Sequence, residues 1–475
     1  DMPSAKMLLN EAQARNDSQW LSQVGGTKIT KKLIKRFGSV PVATMLDVPP
    51  EKLIPYAAGD AVATLLLWQK FEPQLHELGL WRIMEMESAL IPMLADMEIK
   101  GVGIDVDYLQ KLKTEWTVEA ESIKAKYPIN LNSGQQIAEY MEAQGMPLLA
   151  TTDTGLASTS KESLAIYGDR PFVVDLLRYK ETAKLISTYT NSIINRVVDG
   201  RIHPEWNQVR GDSEDWRGAT KTGRLSSSNP NFQNLPVRRD EGMKVRRAVV
   251  SPPGCSLVGF DYSQIEPLII AYRAGEKQLL DLYASGGDVY EGVAKKRLIS
   301  RFDAKTTVLG VTYVEKEWGL ANKLGISVEE AQDVIRGLFE SYPAIEGYIQ
   351  ETIELAKRQG YTNTLWGRRR LESGIASTDW STRQAAEREL LNHTIQGTAA
   401  DLMKQAMVDC YQAGLLPIVS VHDELVFEVE DSAIDTVINS VVYCMKDAMV
   451  LGVPIRVNVK VGKNWGEMKE YEKAG

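Results

Sequence analysis

Cys255-Ser-Leu-Val-Gly-Phe-Asp-Tyr-Ser-Gln-Ile-Glu266 is the stretch on which the reading of this 475-residue chain turns. Cys255–Phe260 is a short apolar run of strand length, and it ends in Asp261. A helical pattern starts near Ser263. A buried strand that ends in an acid and hands over to a helix puts the carboxylate at a sheet edge, where ligands commonly sit. The same Asp could instead cap the helix.

A second acid stands in a comparable place. Leu416–Val421 and Leu425–Val429 are strand-like runs separated only by His422-Asp423-Glu424, a hairpin pattern with acids at its tip. Pro454–Val461 reads as a last strand. The fold class is therefore α+β, a small antiparallel sheet flanked by helices. Asp at a hairpin tip is ordinary. If neighbouring strands bring Asp261 and Asp423 together, however, the pair can share hard cations. Two Mg²⁺ ions about 3.5–4 Å apart are a known solution for in-line phosphoryl transfer.

Between these acids, Arg301, Lys305, Leu309 and Tyr313 recur every fourth residue. On a helix this spacing gives one slowly drifting stripe: two cations, an apolar surface, then a ring. Cations suit a triphosphate, and a flat apolar shelf suits a base. An exposed helix edge with one buried Leu is the alternative.

The rest of the chain sets the frame. Its length calls for roughly two to four domains. Apolar content of 44% and charged content of 25% are those of a globular protein. No run of about 18 apolar residues and no signal peptide is visible, so a cytoplasmic setting without membrane contact is expected. Cys255, Cys410 and Cys444 form no metal or disulfide pattern. Ala57–Leu78, Tyr108–Lys126 and Val173–Val198 read as helices, and residues 220–236 as irregular. The net charge of −8 argues against a nucleic-acid partner. Yet the cations cluster, at Lys31-Lys32, Arg246-Arg247, Lys295-Lys296-Arg297 and Arg368-Arg369-Arg370, which points to a locally positive groove.

Five strings, in order, resemble the motifs of the family A DNA polymerases: Thr-Gly-Arg-Leu-Ser-Ser-Ser-Asn-Pro-Asn-Phe-Gln-Asn-Leu-Pro (222–236), Asp-Tyr-Ser-Gln-Ile-Glu (261–266), Arg-x3-Lys-x3-Leu-Gly-x2-Tyr (301–313), Gln-Gly-Thr-Ala-Ala-Asp (396–401) and Val-His-Asp-Glu (421–424). The resemblance covers about residues 81–470 and implies a right-hand polymerase that extends a DNA primer on a template. Residues 81–205 would be the thumb and the start of the polymerase domain, 206–270 and 376–475 the palm, and 271–375 the fingers. Asp261, Asp423 and the Tyr262 carbonyl would bind two Mg²⁺ ions, which Mn²⁺ can replace, with Glu424 close by. Arg301 and Lys305 would grip the phosphates of a dNTP, and Lys305 would protonate the leaving pyrophosphate. Gln264, Glu266, Tyr290, Leu309 and Tyr313 would line the nucleotide site, with Glu266 excluding a ribose 2′-hydroxyl. Arg224, Gln233, Asn234, Arg238, Arg388, Asn392, Gln396 and His422 would contact primer–template DNA, largely in the minor groove, whose acceptors look alike for every correct pair.

This chain departs from the family at Leu309 (Phe or Tyr is usual), Pro267-Leu268 (Leu-Arg), Tyr290 (often His) and Val314 (often Gly). The connection from Tyr290 to Arg301 is short. These departures point to trimmed fingers in an enzyme of a viral or otherwise divergent lineage, and a monomer is expected. Residues 1–80 resemble the end of a 3′–5′ exonuclease domain, with Tyr56-Ala-Ala-Gly-Asp60 as its third motif. The remaining carboxylates of that site would lie before Asp1, so this chain is expected not to proofread. Two rivals are a single-subunit RNA polymerase and a catalytically dead DNA-binding scaffold. Glu266 and the 222–228 run weigh against the first; the paired acids and paired cations weigh against the second.

Overall fold

The computed structural model describes residues 50–152, 155–208, 220–235, 240–297, 299–312 and 316–472. The chain divides into two compact units, Asp1–Met84 and Glu85–Gly475. In the first, the helix Pro50–Glu77 carries Tyr56 and Asp60 one turn apart. The Asp60 charge, followed by burial, raises the Tyr56 hydroxyl above its ordinary range. The opening ten residues and the Lys31-Lys32 cluster lie outside the described residues.

The second unit is organised by a five-stranded antiparallel sheet. Its strands are β1 (Cys255–Tyr262), β2 (Pro417–Val421), β3 (Glu424–Glu430), β4 (Val457–Gly462) and β5 (Lys469–Glu470), in the order β5-β4-β1-β3-β2. Central β1 is sheltered on both faces. Leu257, Val258 and Phe260 are fully buried, as are Leu425 and Val426 on β3. Burial of each such side chain contributes about 1.5–3 kcal/mol, and Phe260 meets Phe427 edge-on with ring centroids 5.5 Å apart. This is why an eight-residue strand holds with so few polar positions.

Helices α1 (Ile265–Ala274), α2 (Val289–Arg297) and α3 (Arg301–Thr312) follow β1. Helices α4 (Trp380–Asn392) and α5 (Thr398–Gln412) precede β2, and α6 (Ile434–Asp447) follows β3. A π-helical turn, His393–Gly397, joins α4 to α5. Such turns occur frequently at functional sites.

Several sequence-based boundaries shift. β1 runs through Asp261 and Tyr262 rather than stopping at Phe260, because both residues stay in register with β4 and Asp261 also pairs with Glu424 of β3. Helix α1 starts at Ile265, and its cap position is Gln264, which makes no side-chain cap bond; Asp261 therefore does not cap it. The last predicted strand begins at Val457 instead of Pro454. The single helix expected over Val173–Val198 is Pro171–Lys184, then a π-helix Leu185–Asn191, then Ser192–Ile194. All three share nearly the same apolar period, so the sequence pattern does not separate them. Within the irregular stretch, Ser226–Ser228 pairs as a strand with Glu205–Asn207.

Two of the basic clusters expected to form a positive groove, Arg246-Arg247 and Arg368-Arg369-Arg370, are engaged with protein partners. Arg368 bridges Glu87 at 2.5 Å and Asp401 at 2.6 Å, and buried Lys404 reaches the same Glu87 at 2.6 Å. Arg370 pairs with Glu389 and Glu372. Arg246 stacks on Trp465 at 3.9 Å, and Arg247 pairs with Glu467 at 3.1 Å. Most of these partners come from distant segments, and a buried charge without a partner is costly.

Candidate active site

Asp261 and Asp423 converge because of strand register. Asp261 stands opposite Glu424 across β1 and β3, and the Tyr262 amide donates to the Asp423 carbonyl at 3.1 Å. The Tyr262 ring is turned into the core, where its hydroxyl donates to the Met445 carbonyl of α6 at 2.7 Å. That anchor fixes the end of the central strand.

Both Asp side chains sit in one low-dielectric neighbourhood. Burial, then the charges of Asp423 and Glu424, push the Asp261 carboxyl up to about 7; Lys460 and a hydrogen bond from Asn458 oppose this only in part. Burial likewise raises Asp423, with Glu266 adding to it. Acids whose ionised forms are disfavoured this way are starved of positive charge. Among the described residues no three His, Cys, Asp or Glu side chains gather round a cation-sized site. Two desolvated carboxylates nevertheless offer oxygen donors suited to a hard cation that keeps several waters.

Glu424 is differently placed. Its Oε1 accepts the Trp465 indole N–H at 3.1 Å, and its Oε2 lies 3.8 Å from the Arg246 guanidinium. Both oxygens thus have protein partners, a restraint that no periodicity in the sequence revealed. A lone Trp in Asn464-Trp-Gly-Glu467 was the available signal. Gly259, two residues before Asp261, keeps the room clear: a Cβ there would come within 3.2 Å of Glu424 Oε1 and 2.8 Å of Met468.

The nucleotide-site candidates gather on one side. Ala304, Thr307, Val308 and Val311 form the buried face of α3, leaving Arg301 and Lys305 exposed and Leu309 partly covered. Tyr290 is buried between the two sets of charges. Arg301 and Lys305 stand 5.5 and 5.8 Å from its ring centre, and burial, then Glu266, Asp288 and Asp423, drive its hydroxyl above the ordinary range. Glu266, in the first turn of α1, forms an ion pair with Arg224. Tyr313 and Val314 lie outside the described residues.

The DNA-contact candidates frame a cavity of about 370 Å³ lined by Arg224, Gln233, Asn234, Gln396 and His422, with Lys404 at its wall. Gln233 is oriented by donating to the Ser420 carbonyl at 3.2 Å. Arg388, Asn392 and Gln396 recur every fourth residue along α4 and the π turn, but only Gln396 reaches the cavity. Arg238 lies outside the described residues.

Two backbone positions beside the acids are strained. Gln264 and His422 have φ of 53° and 54°, a region that costs a non-glycine residue roughly 1–2 kcal/mol. Such outliers cluster at functional sites. His422→Gly relieves the strain. It is expected to raise stability by about 1 kcal/mol, read as a higher Tm. An unchanged or lower Tm would show that the positive φ at this position stores no strain.

Comparisons with known proteins identify the family. The chain is 37% identical over 465 residues to DNA polymerase I of Chloroflexus aurantiacus, covering 89% of this chain and 47% of that protein. It is 38% identical over 438 residues to the thermostable DNA polymerase I of Thermus filiformis, covering 87% and 52%. It spans about half the length of these curated relatives. A solved structure described as the POL domain of Pol1 from M. smegmatis in complex with DNA primer-template and dNTP superposes with a TM-score of 0.78 at 32% identity, over 86% of this chain and 75% of that one. Residues 106–467 match the description DNA polymerase family A, a span that holds the acid-bearing strands, α3 and the cavity. The chain belongs to DNA polymerase family A.

Proposed function

We propose that this chain is a template-directed DNA polymerase that adds deoxynucleotides to a primer 3′-hydroxyl and releases pyrophosphate. The observation that carries the reading is the meeting of Asp261 and Asp423 at one end of the sheet's central strands, both with raised carboxyls, beside the cationic face of α3. Asp261, Asp423 and the Tyr262 carbonyl would hold Mg²⁺, or Mn²⁺ in its place. When bound, the cations supply the charge that steadies phosphoryl transfer.

The chain's own residues do the rest. Arg301 and Lys305 present donors to the triphosphate, and the Lys305 ammonium can pass a proton to the departing pyrophosphate oxygen. Glu266, held by Arg224, fills the space a 2′-hydroxyl would need and excludes ribonucleotides by clash. Leu309 and Tyr290 offer apolar surface to sugar and base. Arg224, Gln233, Asn234, Gln396 and His422 face the terminal base pairs of primer–template DNA, where minor-groove acceptors are common to every correct pair. Arg388 and Asn392 extend this row. In this reading 206–270 and 376–475 form the palm, 271–375 the fingers and 81–205 the thumb of a monomeric enzyme.

No helix among the described residues is long and apolar enough to cross a membrane. The test is extension of a primed DNA template with Mg²⁺ and either deoxy- or ribonucleotides. Deoxynucleotide extension is expected, with ribonucleotides used at least about 10²-fold less efficiently. Efficient synthesis from ribonucleotides alone would favour an RNA polymerase, and no synthesis with either would favour a scaffold.

A further inference from the structure

Asp288 belongs to none of the motifs that carry the family resemblance, yet it ties three of the site's elements together. Its Oδ1 accepts the Glu291 amide at 2.9 Å and caps α2. Its Oδ2 accepts from Arg301, Nη2 at 2.6 Å and Nε at 3.2 Å, and also from Gln264 Nε2 at 3.0 Å. Gln264 returns the link by accepting the Val289 amide on Oε1 at 2.9 Å. Gln264 is also the strained residue where β1 hands over to α1, three positions after Asp261.

The turn before Asp288 is fixed from the sheet as well. Arg456, just ahead of β4, donates to the carbonyls of Gly286 and Gly287 at 2.8 and 2.9 Å and stacks on Tyr283 at 4.0 Å. A Cβ on Gly287 would come within 2.4 Å of Leu282, so the turn is closely packed. Two independent routes, one from β1 through Gln264 and one from β4 through Arg456, thus lead to a single carboxylate. That carboxylate holds the first residue of α3.

We propose that Asp288 is a positioning residue that registers Arg301, and with it α3, against the strand bearing Asp261, so that nucleotide phosphates meet a guanidinium already set in place. The proposal rests on the polymerase reading above. Asp288 touches no reacting atom; it acts through Arg301. One half-exposed Arg oriented through two N–H groups on a partly buried carboxylate gives a modest effect, comparable to a well-formed surface pair.

Asp288→Asn separates this role from capping, because Asn also caps helices well but lacks the anionic oxygen that draws Arg301. Tm is therefore expected to stay within a few degrees. KM for the incoming deoxynucleotide should rise about five- to tenfold, with kcat changed less than about threefold. Nucleotide affinity measured on a primer ended with a dideoxynucleotide, where no chemistry follows, should weaken by the same factor. In an Arg301→Ala background, Asp288→Asn should add almost nothing. An undiminished effect in that background, or unchanged nucleotide affinity in the single variant, overturns the proposal and leaves Asp288 as a helix cap. If the unaltered chain neither binds nucleotide nor extends a primer, the polymerase reading fails first and this proposal falls with it.

Discussion

Asp261→Asn is expected to reduce primer extension by at least about 10³-fold, because it removes an anionic oxygen from the proposed cation site. The same substitution should make the protein more stable at pH 8 when no divalent cation is present. The two effects share one cause. The Asp261 carboxyl is raised to about 7 by burial and by its acidic neighbours, whereas in the unfolded chain it titrates near the ordinary value of about 3.9. Between these values the folded state holds more protons than the unfolded one. Stability therefore falls as pH rises through the window from about 4 to 7, and stays low above it. Asn carries no charge and escapes the loss.

After a reduction for the solvent that still reaches this half-buried group, the gain is about 2 kcal/mol at pH 8 and close to zero at pH 4. Thermal melts should show Tm higher by a few degrees at pH 8. Added Mg²⁺ should raise the Tm of the unaltered chain and barely move that of the variant. A variant no more stable than its parent at pH 8 would contradict the electrostatic account of the pair. Retained extension would contradict the assignment of Asp261 as a cation ligand.

That pair could be read from the sequence because its supports are local. The apolar run from Cys255 ends in an acid, and two apolar runs flank His422-Asp423-Glu424. Period and turn chemistry suffice to place both carboxylates at strand ends. What stayed hidden depends on contacts between distant segments. Arg368-Arg369-Arg370 looks like a phosphate-binding patch on paper, but Glu87 and Asp401 neutralise Arg368, and Glu389 neutralises Arg370. Nothing near those arginines in the sequence announces their partners. Glu424 reads as a third member of an acidic cluster, whereas Trp465 and Arg246 engage both its oxygens. Asp288 was invisible for the same reason: its partners Gln264 and Arg301 come from two separate motifs. The π-helical turns at Leu185–Asn191 and His393–Gly397 leave the apolar period almost unchanged, so the pattern cannot separate them from α-helix.

Lys305→Ala carries the other large expected effect, a loss of about 10²–10³-fold in kcat. Lys305 lies on the exposed face of α3, one turn after Arg301, and the buried residues Ala304 and Val308 flank it on the core side. Its ammonium stands 5.8 Å from the Tyr290 ring centre, while Arg301 is engaged by Asp288 at 2.6 Å. The two cations therefore differ in freedom. Arg301 is a fixed donor, and Lys305 is a flexible one that can follow charge as it builds on the leaving group. Removing Lys305 should lower kcat more than it raises KM, whereas removing Arg301 should do the reverse. Because the side chain is exposed, the protein's stability should hardly change, within about 0.5 kcal/mol. Lys305→Arg keeps the charge but gives up a proton far less readily. It is expected to restore nucleotide affinity without restoring kcat. Rescue of both by Arg would reduce Lys305 to a charge at the phosphates and remove its role in protonating pyrophosphate.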